Sequence, residues 1–162
     1  MSRDSHMAQT ERAMPLRLLI ADDRPRTRRA VQALLAASLG FQVVGEASDG
    51  EEALARVEEL QPDLVLLDVR MPRLDGVAAT ARIKTRWPSI RVVVHSLATE
   101  CRDAALAAGA DAFVAKGGRP EELLTALGAE LSWPRRPAWP LRGTDAPNRR
   151  RPSPPQQLPP RT

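Results

Sequence analysis

The chain predicts a doubly wound α/β fold, a (βα)5 arrangement with a five-stranded parallel sheet. Three observations carry that expectation. Five short apolar runs alternate with five stretches of helical periodicity. The runs at 64–67 and 92–94 are continuously apolar, as strands buried on both faces must be. Gly, Pro and Asp punctuate the runs, and these residues stop helices and open turns. Such alternation implies right-handed crossovers, with helices covering both faces of the sheet.

The expected strands are Leu16–Ala21, Phe41–Glu46, Leu64–Asp68, Ile90–His95 and Ala112–Ala115. Between the first two, Val31, Leu34, Leu35 and Leu39 recur at helical spacing, and Gly40 is the expected stop. Asp49-Gly50 opens a second helix, with Ala53, Leu54, Val57 and Leu60 apolar and Pro62 beyond its end. A third starts at Asp75 or Gly76 and runs to about Trp87, before Pro88. Thr99 is the expected cap of a fourth, Glu100 to Ala108, ended by Gly109. Pro120 suits the first turn of a fifth, whose apolar face is Leu123, Leu124, Leu127 and Leu131.

With 162 residues the chain has room for one domain with a real core and spare chain at the ends. Residues 1–14 read as a disordered N-terminal segment, 15–131 as the domain, and 132–162 as a Pro/Arg-rich disordered tail. Nine of the 15 prolines fall in that tail, with seven Arg and one acid. It cannot bury enough apolar surface to offset its ordering entropy. The overall charge of +4 is therefore divided: the tail carries +6 and the rest about −2. No apolar run approaches the roughly 20 residues needed to span a bilayer, and the N-terminus lacks the apolar stretch of a secretory signal. Cys101 is the sole cysteine, which excludes an intrachain disulfide and a cysteine-ligated zinc cluster. A cytoplasmic location is the expectation.

In open parallel sheets the ligand crevice lies at the carboxyl ends of the strands. Asp22-Asp23 ends the first apolar run there, Asp68 ends the third, Ser96 follows the fourth and Lys116 the fifth. Three carboxylates on two strand ends suggest a cation site beside a nucleophile or phosphate acceptor. Clustered carboxylates repel one another, and a hard divalent cation with oxygen ligands relieves that repulsion.

Taken in order, Leu18-Leu19-Ile20-Ala21-Asp22-Asp23, the stretch from Asp63 through Asp68 to Met71-Pro72-Arg73-Leu74-Asp75-Gly76, Val92-Val93-Val94-His95-Ser96 and Ala108-Gly109 to Lys116 resemble the receiver domain of two-component response regulators. The resemblance covers about residues 15–131. Its flavour is that of the subfamily usually carrying a LuxR-type helix-turn-helix. It implies a flavodoxin-like receiver fold and makes Asp68 the acceptor of a phosphoryl group from a histidine kinase or phosphotransfer protein. It implies Mg²⁺ held directly by Asp23, Asp68 and the Arg70 carbonyl, with Asp22 acting through water. Lys116 and Ser96 are implied to donate to phosphoryl oxygens, and Phe113 to be the switch aromatic that turns inward with Ser96. Such a domain turns over phosphate only on itself and is not otherwise an enzyme.

Plainer roles exist for the same residues. Asp22 and Asp23 suit a helix N-cap and its neighbour, Asp75 a cap, Phe113 core packing and His95 a polar strand end. Two departures stand out: Leu97 follows Ser96 where small residues are usual, and is expected to narrow the approach to the phosphoryl site. Gly117 follows Lys116 where proline is commoner. The tail offers no helix-turn-helix pattern. The expectation is therefore a stand-alone switch with an unidentified output protein, or a homodimer. The alternatives are the receiver half of a DNA-binding transcriptional regulator and a Mg²⁺-dependent phosphatase of the haloacid dehalogenase type, which wants an acid where Arg70 stands. The basic tail allows only weak, salt-sensitive nucleic-acid binding.

Overall fold

The computed structural model describes residues 14–128. The strands are β1 (Leu16–Ala21), β2 (Phe41–Ala47), β3 (Leu64–Leu67), β4 (Arg91–Ser96) and β5 (Ala112–Ala115). The helices are α1 (Pro25–Ala36), α2 (Gly50–Leu60), α3 (Gly76–Arg86), α4 (Arg102–Ala107) and α5 (Pro120–Leu127), and a 3-10 turn spans Thr99–Cys101. All four pairings are parallel, in the order β2-β1-β3-β4-β5. The expected sheet and its five helices are present.

Strand alternation divides the core in two. Leu18 and Ile20 of β1, Leu64 and Leu66 of β3, and Val93 of β4 pack with Val31 and Leu35 of α1 and Leu123 and Leu127 of α5. Leu19 and Ala21, Val65 and Leu67, and Val92 and Val94 pack with Ala53 and Val57 of α2, Ala79 and Ile83 of α3, and Ala105 of α4. Side chains on a strand point to opposite faces in turn, so one apolar run serves both layers. Burying each Leu or Ile contributes about 1.5–3 kcal/mol, which fixes the register on which the strand ends depend.

Helix starts follow the expected chemistry. Asp49 caps α2 by accepting the Glu52 N–H at 2.9 Å, and Asp75 caps α3 by accepting the Ala78 N–H at 2.9 Å. Pro25 and Pro120 occupy first turns, where a missing N–H costs nothing. Two expectations need correction. Gly40 does not stop α1, which ends at Ala36 with Leu39 98% exposed; the Gly40 carbonyl instead accepts the Leu16 N–H at 2.8 Å and begins the sheet. Thr99 caps nothing: it lies inside the 3-10 turn, and Ala98 and Cys101, at the starts of that turn and of α4, make no side-chain cap bond. Leu131 and the expected terminal segments, apart from Met14, lie outside the described residues. Among the described residues, no helix is long and apolar enough to cross a membrane.

Candidate functional site

The acids meet because the sheet carries them to one edge. Beyond β1, the Asp22 N–H donates to the Ala47 carbonyl at 3.0 Å, and beyond β3 the Asp68 N–H donates to Ala21 at 2.9 Å. Asp22 and Asp68 are buried and Asp23 is exposed. Carboxylate oxygens of all three lie within 4.8 Å of one another. Lys116, just past β5, closes the group. Its Nζ lies 2.5 Å from Asp22 Oδ2 and 3.0 Å from Asp68 Oδ2. Backbone groups satisfy only part of the remaining demand: Asp22 Oδ1 accepts the Arg24 N–H and Asp68 Oδ1 the Val69 N–H, each at 2.8 Å. Asp22 is thus not a side-chain cap of α1; its N-cap position is held by Arg24.

Ser96 is buried, and its Oγ accepts the Ala98 N–H at 3.2 Å. Its carbonyl accepts the Lys116 N–H at 3.0 Å, which ties the lysine's backbone to β4. Phe113 sits in the core below, with the Arg102 guanidinium 5.8 Å from its ring centre. The Arg70 side chain is exposed and points to Glu100, at 2.8 Å. Leu97 is 59% exposed. Gly117 adopts φ +87, a conformation glycine takes without steric cost.

Three sets of contacts near the pocket lie beyond what the sequence pattern foretells. Arg73 makes an ion pair with Asp49, whose side chain is fully buried. The Arg73 guanidinium beside Asp49, followed by the Glu52 N–H, holds that carboxyl below its ordinary value of 3.8. The Arg70–Glu100 pair crosses from the loop after β3 to the turn after β4. His95 lies under the pocket; burial first, then the Lys116 charge, pushes its pKa below 6.5, against the opposing pull of Asp22 and Asp68. These contacts join residues far apart in the chain, so no periodic pattern announces them. Beside the pocket, α1 and the start of α5 border a cleft of about 520 Å³ whose lining includes Arg24, Arg26, Leu34, His95, Lys116 and Arg119.

The donor set is all oxygen at the acids, with one ammonium offsetting part of the charge. That chemistry suits a hard cation better than a metal that prefers soft ligands. Residues 18–128 match the response regulator receiver domain. The chain belongs to that family. This receiver is 39% identical over 115 residues to the nitrate/nitrite response regulator protein NarL of Escherichia coli (strain K12), covering 70% of this chain and 53% of that protein. It is 44% identical over 110 residues to protein-glutamate methylesterase/protein-glutamine glutaminase 4 of Myxococcus xanthus (strain DK1622), covering 66% of this chain and 31% of that protein. The chain thus spans about half the length, or less, of these curated relatives. In a solved CheX-CheY-BeF3-Mg+2 complex from Borrelia burgdorferi, one chain matches this receiver with a TM-score of 0.66 and 27% identity, over 70% of this chain and 87% of that one.

Proposed function

We propose that this receiver is a phosphoacceptor switch in which Asp68 takes a phosphoryl group from a histidine kinase or phosphotransfer protein. The observation that carries the reading is the Lys116 ammonium lying between Asp22 and Asp68, with the Asp23 carboxylate beside them. A Mg²⁺ ion held by Asp23, Asp68 and the Arg70 carbonyl, with Asp22 through water, would neutralise charge on the transferring group. In the transfer, a bond forms between an Asp68 carboxylate oxygen and phosphorus as the bond from phosphorus to the donor nitrogen breaks. Lys116 has a pre-set position: it can exchange a carboxylate partner for a phosphoryl oxygen without crossing the pocket. Ser96 has its hydroxyl on a neighbouring strand end and gives up only one long bond, from the Ala98 N–H, to reach inward.

The output follows from that movement. Ser96 and Phe113 belong to adjacent strands, so an inward turn of the first frees room for the second. The surface formed by α4, β5 and α5 then changes, and a pre-existing equilibrium shifts toward the form a partner recognises. The partner is an output protein or a second copy of the chain. A second reading, the receiver half of a DNA-binding transcriptional regulator, is favoured by the likeness to a solved DNA-binding response regulator of the LuxR family from Staphylococcus aureus, with a TM-score of 0.65 and 27% identity over 69% of this chain, and by the chain's covering about half the length of NarL. The phosphatase reading has nothing to support it at Arg70, where an arginine paired with Glu100 stands in place of a second acid.

The test is treatment with beryllofluoride or acetyl phosphate plus Mg²⁺, followed by amide NMR shifts and phosphate-affinity gels. Wild type is expected to respond and Asp68→Asn to give no phosphorylated band. An equal response from Asp68→Asn would overturn the assignment. Ser96→Ala is expected to keep phosphate uptake but to lose most of the shift changes on α4 and β5; a full set of shift changes would remove Ser96 from the switch.

A further inference from the structure

We infer that Arg73 is a positioning residue for the cation pocket: by gripping the buried carboxylate of Asp49, it holds the loop between β3 and α3 in the shape that presents the Arg70 carbonyl and Asp68. The inference rests on the cation-assisted reading above.

Arg73 has φ +65, a left-handed conformation that side chains other than glycine resist. Something must hold it there. Its guanidinium reaches Asp49, 24 residues earlier, while most of the side chain stays in water at 67% exposure. Asp49 needs the contact as much. Its carboxylate is fully buried at the start of α2, and one oxygen is already committed to the Glu52 N–H at 2.9 Å. A buried carboxylate with only a cap bond would be badly compensated, and the second oxygen receives the charge-assisted bond that Arg73 supplies.

A second contact fixes the next residue. The Gly50 N–H donates to the Leu74 carbonyl at 3.1 Å, and a Cβ on Gly50 would lie 2.2 Å from that oxygen. The loop is therefore moored to α2 at Arg73 and Leu74. Its other mooring is at the acceptor itself. The Gly76 N–H donates to the Val69 carbonyl at 2.8 Å, and a Cβ on Gly76 would stand 2.0 Å from the Asp68 carbonyl. Arg70 lies in the span between these moorings, with its own side chain spent on an exposed pair with Glu100. The placement of the Arg70 carbonyl is thus set from its two sides, and Arg73 supplies the only charged link to α2 that the loop makes among the described residues.

The experiment uses the full 162-residue chain. Arg73→Gly keeps the left-handed backbone available but removes the guanidinium; Arg73→Lys keeps the charge; Asp49→Asn keeps the shape and the cap bond. Mg²⁺ affinity is measured by calorimetry, and stability separately by urea unfolding. Arg73→Gly and Asp49→Asn are expected to weaken Mg²⁺ binding on the order of 10-fold. Combining them should cost no more than the worse single change, and Arg73→Lys should recover most of the affinity. The Arg73→Gly unfolding midpoint should fall, because the buried Asp49 carboxylate loses its charged partner and glycine's relief of the backbone offsets only part of that; the Mg²⁺ affinity is therefore read without urea, where the variant is folded. Wild-type Mg²⁺ affinity in Arg73→Gly, in a protein whose wild type binds the ion, would overturn this inference and leave the phosphoacceptor reading standing. A wild type that binds no Mg²⁺ would overturn both.

Discussion

At the amino edge of the sheet, Asp63 and Asp111 each take a backbone N–H from the neighbouring strand; at the carboxyl edge, Asp22 and Asp68 converge on one ammonium. Asp63 Oδ2 accepts from Arg17 and Asp111 Oδ2 from Val92, both at 2.8 Å. The chain's two lysines divide between the same edges. Lys84 spreads its three donors over the carbonyls of Pro88 and Ile90 and the Asp111 carboxylate, at 3.1, 3.0 and 3.1 Å. Lys116 gives its charge to two carboxylates that also face a third. The residue types are alike and the chemistry is not. At one edge each carboxylate finishes a ladder, taking a backbone N–H from the strand beside it and, at Asp111, a lysine that is shared with two carbonyls. At the other the carboxylates crowd beyond what the backbone satisfies, an arrangement that a hard cation suits.

Asp111→Ala should break the comparison hardest if the amino edge is structural. It strands the Val92 N–H, in a fully buried residue, and an orphaned buried donor costs about 1–3 kcal/mol. Urea unfolding should show that loss while phosphate uptake from acetyl phosphate stays intact; a variant of wild-type stability would show that the two edges differ less than the geometry indicates. Lys116→Met has the opposite signature. It removes a cation that competes for the acids, so Mg²⁺ affinity should rise several-fold in calorimetry even as phosphoryl uptake slows. A fall in both would mean that the lysine mainly holds the pocket's shape.

The smallest effect concerns pH. Burial lowers the His95 pKa below 6.5, so as pH falls through 6.5 the unfolded chain gains a proton before the folded one does. Stability therefore declines from above pH 6.5 down to the lowered folded value, and is flat with respect to this group below it. Urea midpoints of wild type should fall between pH 7.5 and 5.5 more than those of His95→Gln. Parallel slopes would remove this contribution from the carboxyl edge.

Much of this was legible in the chain because local physics dominates where it was legible. β1 and β5 fall on their expected residues, and the caps at Asp49 and Asp75 follow from a side-chain oxygen three residues before a free N–H. The convergence of Asp22, Asp23, Asp68, Ser96 and Lys116 on one edge needs only parallel strands and their end residues. What the pattern hid was decided over distance or by exposure. Leu39 has the right spacing to extend α1, but at 98% exposure it gains nothing from the core, and the chain turns to start β2. In the sequence Asp49 only opens a helix and Arg73 only stands in the stretch after Asp68; the folded chain alone makes them partners.

Lys116 is bonded through its amide to β4 and through its ammonium to the residues that follow β1 and β3. One residue at the end of the last strand therefore senses three others at once. Solvent exchange at that single amide should report on the charge state of the whole rim, giving a spectroscopist one resonance to follow where several would otherwise be needed.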